Sequence, residues 1–241
     1  MAIYTSKTRI DLEDVGYSNK ITNKAILKIL ENAGARQSET IHFGLNDMEN
    51  VGFSWILLGW KVKILKRPIY NEELTINTWG RESNRIFTYR DYEIYDESGE
   101  LCTIATSKWA IVDINTGKLR ELTPEIIEKY QCETKKVFKE DYTLKLKEPT
   151  TIIRKQEYKA QRRDIDINKH IHNLYYLDYA YEVLPEEVYE APECSNIEIM
   201  YKKQIRLNDE FKCLYTKEKN QNIVTMKSED ENTLHAIIKL Y

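Results

Sequence analysis

The stretch TNKAILKILENAGAR, residues 22–36, carries the clearest periodic signal in the chain. Its apolar side chains recur at positions i, i+1, i+4, i+5 and i+8: Ala25, Ile26, Ile29, Leu30 and Ala33. This spacing predicts a helix with one apolar face, and Thr22 or Asn23 is placed to cap its first turn. A lone helix with an apolar stripe must bury that stripe against another element, so the surrounding sequence has to supply a sheet.

Strand-like segments surround this helix. They are rich in β-branched and aromatic residues, and turn sequences such as DESG (96–99) and NTG (115–117) separate them. The segments are 4–12 before the helix and 55–65, 74–82, 85–96 and 101–114 after it. Runs at intervals of roughly 8–12 residues predict an antiparallel meander.

The same order of elements returns in the second half of the chain. The pattern predicts a strand at 151–161, a helix at 173–184 and strands at 196–207, 210–218, 221–228 and 232–241. Between the halves, residues 118–150 hold a short helical stretch near 124–130 and a run of mixed charge. We interpret this region as a connection between two domains.

A short internal similarity supports two copies of one unit. Asn19–Asn23 (NKITN) resembles Asn168–Asn173 (NKHIHN) if His170 is an extra residue, and Leu27 then aligns with Leu177. A twisted antiparallel sheet curled around one long helix is the hotdog arrangement, so the predicted fold class is α+β with two tandem hotdog units. The boundaries that we expect are 1–128 for the first unit, 129–150 for the linker and 151–241 for the second unit.

Bulk composition excludes several classes of protein. The chain of 241 residues is 41% hydrophobic and 31% charged, which is ordinary for a globular protein. A net charge of −3 does not favour a nucleic-acid partner. Its four cysteines are scattered, without CxxC spacing, and the N-terminus has no signal-peptide pattern. No apolar run approaches the ~18 residues of a membrane span. We therefore expect a cytoplasmic protein without a membrane or nucleic-acid partner.

The densest polar cluster is DIDINKHIHN, residues 164–173, between a predicted strand and a predicted helix. It holds two of the four histidines of the chain. If the stretch were extended, its polar side chains would share one face, with the isoleucines on the other. These polar residues are Asp164, Asp166, Asn168, His170 and His172.

Three interpretations of this cluster compete. It could be the start of a helix, with Asn173 as the cap and the aspartates near the positive end of the helix. It could be a calcium loop, but Lys169 stands where an EF-hand needs Gly and Tyr175 where it needs Glu. It could be a catalytic site, because a carboxylate, an amide and an imidazole together can move protons and orient a water.

The run DIDINKHIHNLYYLDY, residues 164–179, resembles the signature of the acyl-acyl carrier protein thioesterase family, close to D-[LIV]-D-[VIM]-N-x-H-[VI]-N-N-x-x-Y. The resemblance covers most of the chain, since residues 9–35 resemble the first hotdog helix of the family and 55–113 its first sheet. It implies hydrolysis of fatty acyl-carrier protein thioesters without a metal or other cofactor. It also places Asp166, Asn168 and His170 on the catalytic positions of the family.

Two positions depart from the family pattern. His172 stands where the family usually has Asn; it could titrate, but we favour a polar substitute at the helix start. Plant members carry a catalytic Glu followed by Cys on a later strand, where this chain has Gln204 and Ile205. Gln204 can orient a water but cannot act as a base. Asp166 and His170 would then have to carry the proton chemistry.

The resemblance also implies sites for the substrate and the carrier. Asn173 falls on the last Asn of the motif, a substrate-binding position. The first hotdog lines the acyl-chain pocket in the family, and the candidates here are Trp55, Leu57, Ile26, Ile29 and Leu30. Acyl carrier protein is acidic and carries its acyl chain on a phosphopantetheine arm, so basic residues near the site are candidates for binding it. They are Arg162, Arg163, Lys202 and Lys203.

Two alternatives from other functional classes stay open. A hotdog enzyme could act on acyl-coenzyme A instead. A non-catalytic module could bind acyl thioesters without turnover, with Gln204 as the mark of lost activity. The oligomeric state is open between monomer and homodimer, because a double hotdog supplies in one chain the pairing that single hotdogs achieve as dimers.

Overall fold

The structure, a computed structural model, describes residues 3–81, 84–140 and 145–241. Its internal contacts divide the chain into two compact units, Met1–Thr143 (unit 1) and Leu144–Tyr241 (unit 2). The division lies inside the stretch 129–150 that the sequence predicts as the linker. Among the described helices, none is both long enough and apolar enough to cross a membrane.

Unit 1 is one long helix and an antiparallel sheet. The helix α1 spans Asn23–Thr40, and two short helices, α2 (Met48–Val51) and α3 (Pro124–Tyr130), follow it. The strands are β1 (Tyr4–Arg9), β2 (Phe53–Ile64), β3 (Glu73–Gly80), β4 (Thr88–Tyr95), β5 (Leu101–Asp113) and β6 (Leu119–Arg120). They lie in the order β1-β3-β4-β5-β2, with β6 on β5, and every pair is antiparallel. The prediction of an antiparallel sheet is confirmed, but only β3, β4 and β5 follow one another as a meander, because β2 lies beside β5 rather than beside β3.

Helix α1 forms for the reasons that its sequence suggests. The Thr22 hydroxyl accepts a hydrogen bond from the Ala25 N–H at 3.2 Å and caps the first turn. The apolar stripe is buried, as predicted. Where the helix crosses the sheet at Gly34, an added Cβ would lie 2.9 Å from the Tyr92 hydroxyl, so a larger residue here would force the Tyr92 side chain to shift. Helix α1 continues to Thr40, four residues beyond the predicted end.

The first part of the predicted linker packs on unit 1. The Lys135 carbonyl accepts a hydrogen bond from Trp79 Nε1 at 3.0 Å, and the Val137 N–H donates to Asp91 Oδ2 at 3.0 Å. Asp91 lies on the sheet face opposite α1, because its neighbours Arg90 and Tyr92 face the helix at Gly34. Burial raises the pKa of the Asp91 carboxyl. Residues up to 138 therefore belong structurally to the first unit.

Unit 2 repeats the plan of unit 1. Its helices are α4 (Tyr175–Glu182) and the short α5 (Glu186–Tyr189). Its strands are β7 (Arg154–Lys159), β8 (Asn196–Tyr201), β9 (Glu210–Glu218), β10 (Gln221–Ser228) and β11 (Leu234–Leu240). They lie in the order β7-β9-β10-β11-β8, which matches β1-β3-β4-β5-β2 strand for strand. The prediction of two copies of one hotdog unit is confirmed.

The register of the internal repeat differs from the predicted one. Asn19 and Lys169 occupy the same left-handed position, with φ of 59° and 64°. The segments Arg9–Asn23 and Lys159–Asn173 then superimpose residue for residue, so the insertion at His170 is wrong. The sequence alignment misplaced the gap because it followed the identical Asn-Lys pair rather than the shape of the turn.

Candidate active site

The polar cluster folds as a tight turn. A short 3₁₀ turn, Arg162–Asp164, leads into a bridge between Ile165 and Ile171. The Lys169 N–H donates to the Asp166 carbonyl at 3.0 Å and closes the turn. The expectation of one extended polar face is therefore wrong, and Ile167 is 67% exposed rather than packed.

The turn brings together the three candidate catalytic residues. Asp166 Oδ1 accepts a hydrogen bond from the Asn168 N–H at 2.8 Å, and Asn168 Nδ2 lies 3.5 Å from Asp166 Oδ2. His170 Nδ1 lies 3.8 Å from Asp166 Oδ1, and the imidazole is about a quarter exposed. The carboxylate is thus fixed by Asn168 beside the imidazole of His170.

Asp164 serves the backbone of this turn. Its buried carboxylate accepts hydrogen bonds from the Gln161 N–H at 2.8 Å and the Tyr179 hydroxyl at 2.6 Å. Burial and this hydrogen bond raise the pKa of Tyr179. Asp14 holds the equivalent place in unit 1, where its carboxylate accepts from the Asp11 N–H at 3.2 Å. A buried Asp at this position is therefore part of the turn in both units.

His172 and Asn173 stand at the entry to α4. The His172 ring accepts a hydrogen bond from the Leu174 N–H through Nδ1 at 3.3 Å, as Thr22 does for α1. This contact favours the interpretation of His172 as a polar substitute at the helix start. The prediction that Asn173 caps the helix is wrong, because α4 begins at Tyr175 and the Asn173 side chain makes no capping bond. Its carbonyl accepts a hydrogen bond from the Tyr201 hydroxyl at 3.1 Å.

Two backbone N–H groups at the start of α4 are engaged within the chain. The Leu174 N–H donates to the His172 ring, and the Tyr175 N–H donates to the His172 carbonyl at 2.9 Å. These two N–H groups are therefore not available to a substrate oxygen.

Gln204 lies next to the candidate site, in the segment 202–209 that links β8 to β9. The Ile171 N–H donates to the Ile205 carbonyl at 2.8 Å, and His170 forms a bridge with Arg206. Gln204 itself is exposed. The fold therefore sets the Gln204 backbone beside the turn that carries His170, although the two segments lie more than 30 residues apart in sequence.

Unit 1 shows what a side chain at the Gln204 position can reach. The segment after β2 and the segment after β8 can be matched residue for residue through one backbone hydrogen bond in each unit. The Ile21 N–H donates to the Pro68 carbonyl at 2.9 Å, and the Ile171 N–H donates to the Ile205 carbonyl at 2.8 Å. Gln204 is therefore the counterpart of Arg67. The Arg67 guanidinium donates to the Ile21 carbonyl at 2.8 Å and to Asn23 Oδ1 at 2.6 Å. By the same geometry, the Gln204 side chain belongs on the side of Asn173, the counterpart of Asn23.

Comparison with known proteins decides the family. The model of the acyl-ACP thioesterase N-terminal domain matches residues 1–130, and that of the C-terminal domain matches 147–239. The chain belongs to the acyl-ACP thioesterase family. The two matches cover most of the chain and fall one in each structural unit.

Relatives and solved structures of this family agree with the fold. The chain is 25% identical to an oleoyl-acyl carrier protein thioesterase of Arabidopsis thaliana over 92% of its length, and 25% identical to one of Coriandrum sativum over 93%. It spans 65% of the length of each of these relatives. An acyl-ACP thioesterase structure from Bacteroides thetaiotaomicron aligns with a TM-score of 0.87 at 21% identity, covering 99% of this chain and 97% of that one.

A second solved structure, a 12:0-ACP thioesterase from Umbellularia californica, also aligns with a TM-score of 0.87. It is 17% identical and covers 100% of this chain and 96% of that one. At such low identity these likenesses show the fold, two hotdog units in tandem, and leave the residues of the site to be argued from their own geometry.

The basic residues expected to bind the carrier lie on two segments of this thioesterase fold. Arg162 and Arg163 belong to the 3₁₀ turn before the candidate site, and Lys202 and Lys203 to the segment after β8. All four are exposed. Arg163 Nε lies 3.7 Å from Asp164 Oδ1, but the Arg163 side chain is 85% exposed and remains accessible.

The residues expected to line the acyl chain form part of the interior of unit 1. Ile26, Ile29, Leu30 and Leu57 are buried. Trp55 is half-buried, with its ring edge-on to Tyr130 at a centroid distance of 5.6 Å. The role of these side chains in holding an acyl chain stays a prediction.

No group of three or more His, Cys, Asp or Glu side chains within the described ranges is arranged to hold a metal ion. The polar residues of the turn instead contact one another and the backbone. Carboxylate and imidazole side chains of this kind are capable of acid–base or nucleophilic catalysis.

Sequence reasoning missed two residues that touch the Gln204 segment, Tyr176 and His235. His235 Nδ1 lies 2.8 Å from the Lys203 carbonyl, and the Ile205 N–H donates to the Tyr176 hydroxyl at 3.3 Å. His235 is one of only four histidines in the chain, which was the one available signal. Nothing in the sequence distinguishes Tyr176 from the other tyrosines of α4.

Proposed function

We propose that this chain hydrolyses fatty acyl-acyl carrier protein thioesters and releases free fatty acid. The observation that carries the proposal is the cluster of Asp166, Asn168 and His170 on a turn whose counterpart in unit 1 has the same backbone without these side chains. Membership of the acyl-ACP thioesterase family supports the substrate class.

In the proposed reaction, a water attacks the thioester carbonyl while His170 takes its proton. Asp166 stabilises the imidazolium that forms, and Asn168 donates a hydrogen bond to the developing oxyanion or orients the water. The tetrahedral intermediate then expels the thiolate, which takes the proton back from His170. The products are a carboxylic acid and the free thiol of the carrier arm.

In a second route the Asp166 carboxylate attacks the carbonyl directly, the C–S bond breaks and the thiolate leaves with a proton from His170, and water then hydrolyses the mixed anhydride to the fatty acid and free Asp166. The hydrogen bond from the Asn168 N–H to Asp166 Oδ1 at 2.8 Å occupies a lone pair of this carboxylate. That contact favours Asp166 as the partner of His170 rather than as the nucleophile. Trapping of an acyl-enzyme on Asp166 with hydroxylamine would overturn this preference.

The carrier proposal places the acidic acyl carrier protein against Arg162, Arg163, Lys202 and Lys203. Reversing these four charges should raise the KM for acyl-carrier substrate by at least about ten-fold and leave the KM for acyl-coenzyme A nearly unchanged. Equal effects on the two substrates would count against a carrier surface here.

Within this proposal the interior of unit 1 holds the acyl chain, and Asn173 contacts the substrate near the thioester. The protein works in the cytoplasm as a monomer or a homodimer. Its four cysteines are free thiols, which fits a reducing compartment.

The test is thiol release from a panel of acyl-carrier proteins of different chain length, beside the matching acyl-coenzyme A thioesters. We expect turnover of acyl-carrier substrates with the higher kcat/KM. Higher kcat/KM on coenzyme A would move the substrate class to acyl-coenzyme A. Binding of acyl-carrier protein by a folded chain, without release of any thiol, would favour the non-catalytic module and make Gln204→Glu the first change to test.

A further inference from the structure

The segment that carries Gln204 is held from both sides by buried side chains. On one side His235, only 6% exposed, donates from Nδ1 to the Lys203 carbonyl at 2.8 Å; Nδ1 must carry the proton, because a carbonyl can only accept. On the other side the hydroxyl of Tyr176, 3% exposed, accepts from the Ile205 N–H at 3.3 Å. We call these two contacts the clamp.

Unit 1 has neither contact. Ile26 stands at the position of Tyr176 and has no hydroxyl, while Pro68 stands at the position of Ile205 and has no N–H to donate. Cys102 stands at the position of His235. The Cys102 carbonyl accepts from the N–H of Leu65, the first residue after β2, and the His235 carbonyl accepts from the N–H of Lys202, the first residue after β8. The Cys102 thiol instead donates to the Glu100 carbonyl, just before β5, at 3.4 Å.

In unit 1 the anchoring falls to the side chain that corresponds to Gln204. Arg67 ties its segment to the turn through the Ile21 carbonyl and Asn23 Oδ1. In unit 2 the clamp anchors the segment through the backbone on either side of Gln204. Within the described residues, the side-chain amides of Gln204 and Asn173 make no hydrogen bond. The clamp therefore fixes the backbone and leaves the Gln204 amide available to a ligand.

We propose that Tyr176 and His235 are positioning residues that hold the Gln204 amide in place beside His170 for the reacting water or the thioester oxygen. The proposal rests on the proposed function for its chemistry, but the clamp itself is a property of the chain. Precise placement matters, because a displacement of about 1 Å at a reacting group can cost up to about 100-fold in rate.

The kinetic test is a double-mutant cycle between Tyr176→Phe and Gln204→Ala. Tyr176→Phe removes only the hydroxyl and should lower kcat about ten-fold with little change in KM. In the Gln204→Ala background the same change should lower kcat less than about two-fold, because the group that it positions is gone. Equal losses in the two backgrounds would overturn the positioning role.

The matched control is Tyr215→Phe, which removes another buried tyrosine hydroxyl of unit 2, bonded to Asn222 Oδ1 at 2.9 Å. Its effect on kcat should be small and additive with that of Gln204→Ala.

The contact made by His235 is tested by comparing two variants of this residue. His235→Asn keeps a donor near the Nδ1 position and should retain most of kcat, whereas His235→Leu should lose as much as Tyr176→Phe. Equal loss in both His235 variants would count against the clamp.

Hydrogen exchange tests the clamp without catalysis. The Ile205 amide should exchange at least about ten-fold faster in Tyr176→Phe than in the wild type, and no faster in Tyr215→Phe. An unchanged Ile205 rate would refute the clamp even in an active enzyme. A faster rate in a protein that hydrolyses no thioester would leave the clamp standing and refute the proposed function instead.

Discussion

Two turns of the molecule, Arg9–Asn23 in unit 1 and Lys159–Asn173 in unit 2, share a backbone and differ in chemistry. Each has a residue in the left-handed region, Asn19 or Lys169, and each is braced by a buried aspartate. Among the positions that differ are those of the candidate catalytic residues, where the first turn has Gly16, Ser18 and Lys20 and the second has Asp166, Asn168 and His170.

The difference separates what the fold needs from what the site needs. A turn that forms with Gly, Ser and Lys does not require Asp, Asn and His for its shape. The latter residues are therefore free to be selected for chemistry, whereas the bracing aspartates are tied to the fold. The same division holds one segment away, where Arg67 anchors the chain in unit 1 and Gln204 does not in unit 2.

The largest effect should come from removing the imidazole of the second turn. His170→Ala should lower kcat by about 10² to 10⁴, the usual contribution of a general acid–base group. The matched control is Lys20→Ala at the equivalent position of unit 1, which should stay within about two-fold of wild type. Steady-state thiol release measures kcat for both variants. Equal losses of kcat would show that the two turns do not differ in their role in catalysis.

Removing the bracing carboxylates should damage both turns alike. Asp164→Asn weakens the hydrogen bonds from Gln161 and Tyr179, and Asp14→Asn weakens the one from Asp11 and the ion pair with Lys28. Each change should lower the free energy of unfolding by about 1–3 kcal/mol. Chemical denaturation checks this, and a loss confined to unit 2 would mean that the turns are not built alike.

Of the equivalent variants Arg67→Ala and Gln204→Ala, the first should lower stability and the second should lower activity. Arg67→Ala removes two hydrogen bonds and should lower the free energy of unfolding by about 1–2 kcal/mol. Gln204→Ala removes an exposed amide and should leave the free energy of unfolding within about 0.5 kcal/mol, while kcat falls about ten-fold. A stability loss in Gln204→Ala as large as in Arg67→Ala would show that Gln204 is an anchor too.

The smallest effect concerns pH. Burial lowers the pKa of His235 from its usual value of 6.5, so the folded protein binds this proton less tightly than the unfolded chain. Its stabilising contribution is present above pH 6.5 and is lost as pH falls through that value towards the folded pKa. His235→Asn should therefore flatten the pH dependence of the free energy of unfolding, by at most about 1.4 kcal/mol per pH unit. Identical slopes for wild type and variant between pH 7.5 and 5.5 would contradict this.

Much of the fold could be predicted because it rests on local periodicity. The stripe of α1 recurs with the helical period, and β9 and β10, whose bounds match the prediction, follow the alternating pattern of strands. The length of α4 could not be predicted, because its first turn depends on the Tyr201 hydroxyl and the His172 ring. The gap assigned at His170 failed because left-handed positions tolerate both Asn19 and Lys169.

The candidate site also has residues that the sequence could predict and residues that it could not. Asp166, Asn168 and His170 are close in sequence, and the motif revealed them together. Tyr176 and His235 approach Gln204 only through sheet pairing and helix packing, so no pattern in one sequence connects them. The packing of residues 131–138 on unit 1 was equally hidden, since it depends on the buried carboxylate of Asp91.

The most direct measurement transplants the chemistry of one turn into the other. The triple variant Asp166→Gly, Asn168→Ser and His170→Lys gives the second turn the residues of the first turn at these three positions. We predict that it folds with a free energy of unfolding within about 1 kcal/mol of wild type and releases thiol at least about 10³-fold more slowly. Retained hydrolysis by this variant would contradict the account, because the acyl-ACP thioester chemistry would then lie elsewhere in the chain. An unfolded variant would contradict it too, because these residues would then be part of the fold.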